Sequence, residues 1–129
     1  MTKEEQIKHW ITSANSDLES AEILLLSGKF LWSLFIGHLV IEKALKAHYV
    51  NLHNETPPKI YNLIRLSKLS NIELNEESSD FFDRLNMFHI EARYPEYKSD
   101  LEKICTKEFS EEMFKRIREK LLWLKSLLK

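Results

Sequence analysis

The chain has 129 residues, a formal net charge of −1, 30% charged and 43% hydrophobic residues, two glycines, three prolines and one cysteine. That length fits one domain, read here as residues 1–129, large enough to bury a core without a metal or disulfide staple. Scarce Gly and Pro disfavour turn-rich strand folds, a near-neutral balance excludes a globally basic surface, and a lone Cys105 excludes an internal disulfide.

Helix signals recur from the start. Thr2 and Glu5 have capping-box spacing, and Ile7, Ile11, Ala14, Leu18, Ala21 and Leu25 form one apolar stripe, predicting a helix over 2–26. Gly28 stands where a helix ends in a left-handed residue. A second helix is expected from Phe30 to His53, apolar on most sides and therefore central or shared with a second subunit. Thr56-Pro57-Pro58 bars its continuation. Gly37 inside it lowers helix propensity by about 1 kcal/mol, which is understandable if another helix packs closely there.

A short third helix is expected over 59–69 and a fourth over 75–91, capped near Asn75. Arg93-Tyr94-Pro95-Glu96-Tyr97 reads as an extended loop, because Tyr94 precedes proline. The last helix should run from Lys107 to Leu128, capped by Thr106, with Phe109, Met113, Ile117, Leu121, Leu124 and Leu128 facing the core. These five segments, joined by short connections, predict an all-α, antiparallel up-and-down bundle of four to five helices. The acidic start, Met1 to Glu5, is unlike a signal peptide. The apolar run from Phe30 to Ile41 falls short of the roughly 20 residues a bilayer requires. No membrane association and a cytoplasmic location are the expectations.

Chemistry-bearing residues fall into a few groups. No Glu-x-x-His pair, no Cys/His cluster and no glycine-rich phosphate loop occurs, so no metal and no cofactor is expected. Cys105 lies near a helix start, which lowers thiol pKa values; a half-buried structural thiol is the preferred reading. His38, Glu42 and Lys46 recur every fourth residue on helix two, with Lys43 alongside. The stripe is either an ordinary surface strip with a Glu42–Lys46 pair or a buried set that needs partners or a ligand. Spacing alone favours the surface strip.

Arg84 and His89 could together cleave RNA without metal, the histidine moving a proton and the arginine holding a phosphate. On a helix, positions five apart are about 140° apart. Arg93, Tyr94 and Tyr97 form a cation-plus-aromatic group suited to a phosphate and a base, or to plugging the bundle end. In the last helix Lys115, Arg116, Arg118, Lys120, Lys125 and Lys129 outnumber Glu111, Glu112 and Glu119. Such a run is usually a solvated face.

Leu39-Val40-Ile41-Glu42-Lys43-Ala44-Leu45-Lys46-Ala47 resembles the second-helix signature of HEPN domains. Leu85 to Pro95, ending Ala92-Arg93-Tyr94-Pro95, resembles one HEPN branch, related to the partners of minimal nucleotidyltransferases. The resemblance spans nearly the whole chain. It implies a homodimeric bundle tied to nucleotides or RNA, with nucleotide contacts at Glu42, Lys43, Lys46, Arg93 and Tyr94. It also implies a toxin–antitoxin-like pairing with a nucleotidyltransferase. The alternatives are a metal-independent ribonuclease toxin using Arg84 and His89 in a cleft across the dimer, and a non-catalytic dimeric adaptor. Two departures stand out. The ribonuclease branch commonly has a polar residue after the arginine, where this chain has Leu85. The Arg-Tyr-Pro branch often has Tyr at the place of His89.

Overall fold

The computed structural model describes residues 1–128; Lys129, counted above with the basic residues of the last helix, lies outside them. Six helices follow one another among the described residues: α1 Lys3–Leu26, α2 Phe30–His53, α3 Leu63–Leu69, α4 Glu76–Glu91, α5 Pro95–Ile104 and α6 Lys107–Leu127. They form an all-α, antiparallel up-and-down bundle, and none is long and apolar enough to cross a membrane.

The helix ends follow local chemistry. Thr2 Oγ1 accepts from the Glu5 amide at 3.1 Å, and Glu5 accepts from the Thr2 amide at 3.0 Å, so two orphan donors are satisfied together. α1 closes in a Schellman turn: the Lys29 amide donates to Leu24 and the Gly28 amide to Leu25, with Gly28 at φ 77°. Asn75 and Thr106 cap α4 and α6 through their side chains. α2 ends at Asn54, which takes the left-handed conformation, before the chain reaches Pro57.

Two expectations are corrected. The third helix starts at Leu63 rather than at residue 59, because Asn62 caps it by accepting from the Ile64 and Arg65 amides. The Arg-Tyr-Pro segment is not an extended loop throughout. Tyr94 is extended, as a residue before proline must be, but Pro95 opens α5. Proline fits a first helical position because its φ is preset and that amide has no intrahelical partner. The bundle therefore has six helices instead of four or five.

α2 is the axis of the molecule and touches every other helix. Leu34, Ile41 and Leu45 of α2 join a single core cluster with Phe81, Phe82, Leu85 and Phe88 of α4 and Ile117, Leu121 and Leu124 of α6. Polar groups on α2 find partners on its neighbours. Ser33 Oγ donates to the Ala21 carbonyl at 2.7 Å, and His48 Nε2 donates to the Leu124 carbonyl at 2.7 Å. Lys43 bridges to Asp17 at 2.7 Å and to Ser13 at 2.8 Å on α1.

Gly37 lets α6 approach α2. A Cβ added there would collide with Cδ1 of the fully buried Ile117. The close helix expected at Gly37 is thus supplied by the chain itself. Gly37→Leu should lower stability by about 1–3 kcal/mol through overpacking, read as a lower urea midpoint. An unchanged midpoint would show that this contact has slack.

Candidate functional site

The stripe of His38, Glu42 and Lys46 is turned inward. His38 is fully buried and Lys46 is 9% exposed. The surface-strip expectation is therefore corrected: α4 and the segment leading into α3 pack over this side of α2. Glu42 Oε2 accepts from Lys46 Nζ at 2.9 Å, and Lys46 lies 5.5 Å above the Trp10 ring, where a cation is attracted to the π face.

α4 contributes Asn86 and His89, three positions apart and so on one helical face. Asn86 Oδ1 accepts from the Leu63 amide at 3.0 Å and meets His38 Nε2 at 3.2 Å. Its Nδ2 donates to Asn62 Oδ1 at 3.3 Å. One side chain thereby ties α2, α4 and the cap of α3 together.

His89 is the centre of an aromatic cluster. Its ring stacks on His38 at 4.3 Å, on Tyr61 at 5.1 Å and on Phe35 at 5.3 Å. Phe35 continues edge-on to Trp32 at 5.5 Å, and Lys98 sits 5.1 Å over Trp32. Arg93 reaches back past the end of α4. Its Nε donates to the His89 carbonyl at 3.2 Å, and a terminal nitrogen meets His89 Nδ1 at 3.1 Å. This satisfies an orphan carbonyl at the helix end and leaves three of the five guanidinium N–H donors for other partners.

Burial is the main cause that lowers the His38 pKa to about 3, with the neighbouring His89 adding to it and Asn86 opposing. Burial, then the charges of Arg93 and Lys46, holds His89 at about 4. Both imidazoles are neutral at pH 7. Burial pushes the Cys105 thiol up to about 11, as suits a structural rather than a reactive cysteine.

The structure brings together Glu42, Lys46, His89 and Arg93, with the half-exposed Tyr94 next in the chain and its ring 6.4 Å from Tyr97. It leaves out two of the residues singled out in the sequence. Lys43 is committed to α1. Arg84 is exposed and makes no ion pair or side-chain hydrogen bond among the described residues, while His89, on another face of the same helix, takes its guanidinium from Arg93. Leu85, which follows Arg84, is core. Sequence reasoning missed Asn86, Phe35 and Tyr61. The signal available for Asn86 was a polar residue three positions before His89 on an otherwise apolar face.

His38, Glu42 and His89 also place one potential ligand atom each within 4.8 Å of the others. The expectation of no metal came from spacings within single helices, and this trio spans α2 and α4.

A sequence model of the HEPN domain matches residues 7–127. The chain belongs to the HEPN family. Its fold is similar to that in the crystal structure of TT1696 from Thermus thermophilus, with a TM-score of 0.77 at 20% identity, covering 95% of this chain and 98% of that one. No curated protein matches it.

The buried histidines give this HEPN domain a pH dependence of definite sign. In the unfolded chain they bind protons near pH 6.5, whereas the folded state resists protonation until about pH 4 and about pH 3. Stability is therefore complete above about pH 7 and falls as the pH drops from 6.5 toward 4. The expected slope is up to about 1.4 kcal/mol per pH unit for each histidine. Urea midpoints at pH 7 and pH 5 should differ, and less so in His89→Gln. Equal wild-type midpoints would contradict this account.

Proposed function

We propose that this HEPN domain binds the phosphate and base of a nucleotide or of an RNA end, on the face formed by Lys46, His89, Arg93 and Tyr94. The observation that carries the reading is Arg93. Two of its donors are fixed on His89, so the remaining ones are held in a set direction beside exposed tyrosines. An immobilised, partly free guanidinium suits bidentate phosphate contact. Exposed Tyr61, Tyr94 and Tyr97 offer ring faces for a base, a contact worth about 1–3 kcal/mol. Glu42 orients Lys46 rather than meeting the anion itself. On the resemblance of Leu39–Ala47 and Ala92–Pro95 alone, the proposal extends to a homodimer and to a nucleotidyltransferase as protein partner.

Calorimetry with ATP, GTP and short single-stranded RNA at low salt tests the ligand. Arg93→Ala should weaken binding about tenfold, the loss of roughly one charged hydrogen bond, with melting temperature followed to separate binding from folding. Affinity should fall as salt rises. Absence of binding to all three ligands overturns the reading and favours the adaptor. RNA cleavage lost in both Arg84→Ala and His89→Ala would replace it with the nuclease.

A further inference from the structure

The core of this site contains two buried acceptors close together, His38 Nδ1 and Glu42 Oε1. The Leu63 amide can only donate, so the Asn86 atom it meets at 3.0 Å is the oxygen. The same oxygen meets His38 Nε2 at 3.2 Å, so Nε2 carries the ring proton. His38 Nδ1 therefore presents its lone pair. Glu42 Oε1 lies 3.6 Å from it, and neither atom has a hydrogen-bond partner among the described residues. At that separation no direct hydrogen bond joins them. Two buried acceptors in this arrangement are costly unless something electropositive lies between them.

We infer that His38 Nδ1, Glu42 Oε1 and the His89 imidazole form a binding site for a divalent transition-metal ion such as zinc or cobalt. Three features support it beyond the opposed acceptors. First, the size fits: an ion about 2.1 Å from both atoms would subtend roughly 120° across 3.6 Å, close to the tetrahedral angle. Second, a third donor is close, since the His89 ligand atom lies within 4.8 Å of both others, a gap that side-chain movement must narrow to about 4 Å for one ion to reach all three. Third, outer contacts already orient the donors. Asn86 holds His38 by its other nitrogen, and Lys46 holds Glu42 by its other oxygen at 2.9 Å, the kind of support that metal ligands use. Two imidazoles and one carboxylate suit zinc or cobalt rather than magnesium or calcium.

Two groups oppose the ion. Lys46 and Arg93 are cations nearby, and Arg93 occupies the lone pair of His89 Nδ1 at 3.1 Å. For His89 to bind, the exposed Arg93 must swing away and the His89 ring must turn out of its stack on His38, because an imidazole nitrogen holds a metal in the plane of its own ring. Metal and Arg93 thus compete for one imidazole, which sets the expected affinity in the micromolar rather than the nanomolar range. The inference rests on the opposed acceptors and not on nucleotide binding; the metal should bind with no nucleotide present.

The experiment uses the tag-free full chain with zinc alone and cobalt alone. Equilibrium dialysis should find about one ion per chain, and bound cobalt should show the visible absorption of a low-coordinate site. Glu42→Gln, nearly isosteric, should lose at least tenfold in affinity, whereas His9→Ala should lose none. Arg93→Ala should bind several-fold tighter, the reverse of its expected effect on nucleotide. Should Glu42→Gln fail to fold, imidazole NMR signals of the wild type decide. Zinc should shift His38 and His89 and leave His9 and His53 in place. Uptake below a tenth of an ion per chain, uptake unchanged in folded Glu42→Gln, or shifts confined to His9 and His53 would each overturn the inference. The opposed acceptors would then be served by a single water donating to both.

Discussion

Enclosure of α2 governs this molecule. A helix packed by all five others buries most of its length, so the polar side chains on its covered faces meet partners within the fold rather than solvent. Ser33 and His48 use carbonyls of α1 and α6, and Lys43 uses Asp17 and Ser13. Those bonds position the surrounding helices as much as the apolar contacts do, because each links α2 to a definite residue of a neighbour. Apolar burial alone is non-directional; the polar pairs select one arrangement. Among the described residues, the buried side-chain atoms of this helix that lack a partner are His38 Nδ1 and Glu42 Oε1, and they lie at the centre of the candidate site.

The site is built from the same constraint. Asn86 serves two elements with one oxygen, the His38 ring and the start of α3. That junction fixes the imidazole plane against which His89 stacks, and His89 in turn holds Arg93. Position is passed outward from a buried amide to an exposed guanidinium by a chain of short contacts. The exposed Arg93 guanidinium is therefore held in place by the fold itself, through its two contacts with His89.

Much of the helical frame could be read from residues whose effect is local. The capping box at Thr2, the left-handed Gly28, and the caps at Asn75 and Thr106 act on neighbours within a turn, so the sequence carries the whole interaction. Elements decided by distant contacts were not readable in this way. The first turn expected before Leu63 gives way to Asn62, whose side chain also serves Asn86. Pro95 marks either a loop or a helix start by local rules, and only the fold selects the second. The stripe at His38, Glu42 and Lys46 had the spacing of a surface strip. Its burial depends on α4 crossing over it, which no residue within α2 reports. The trio of His38, Glu42 and His89 is invisible to any local motif for the same reason.

The contact of Ile117 with Gly37 has a consequence for how the polypeptide is made. α1 and α2 are adjacent in the chain and pair through a short turn, so that hairpin can assemble early during synthesis. The groove over Gly37 is closed only by α6, the last of these helices to leave the ribosome. Until then the nascent chain carries an open apolar furrow along its central helix, the kind of surface on which premature association and chaperone capture depend. The glycine that permits the final close approach also leaves the furrow deepest at the point that is sealed last.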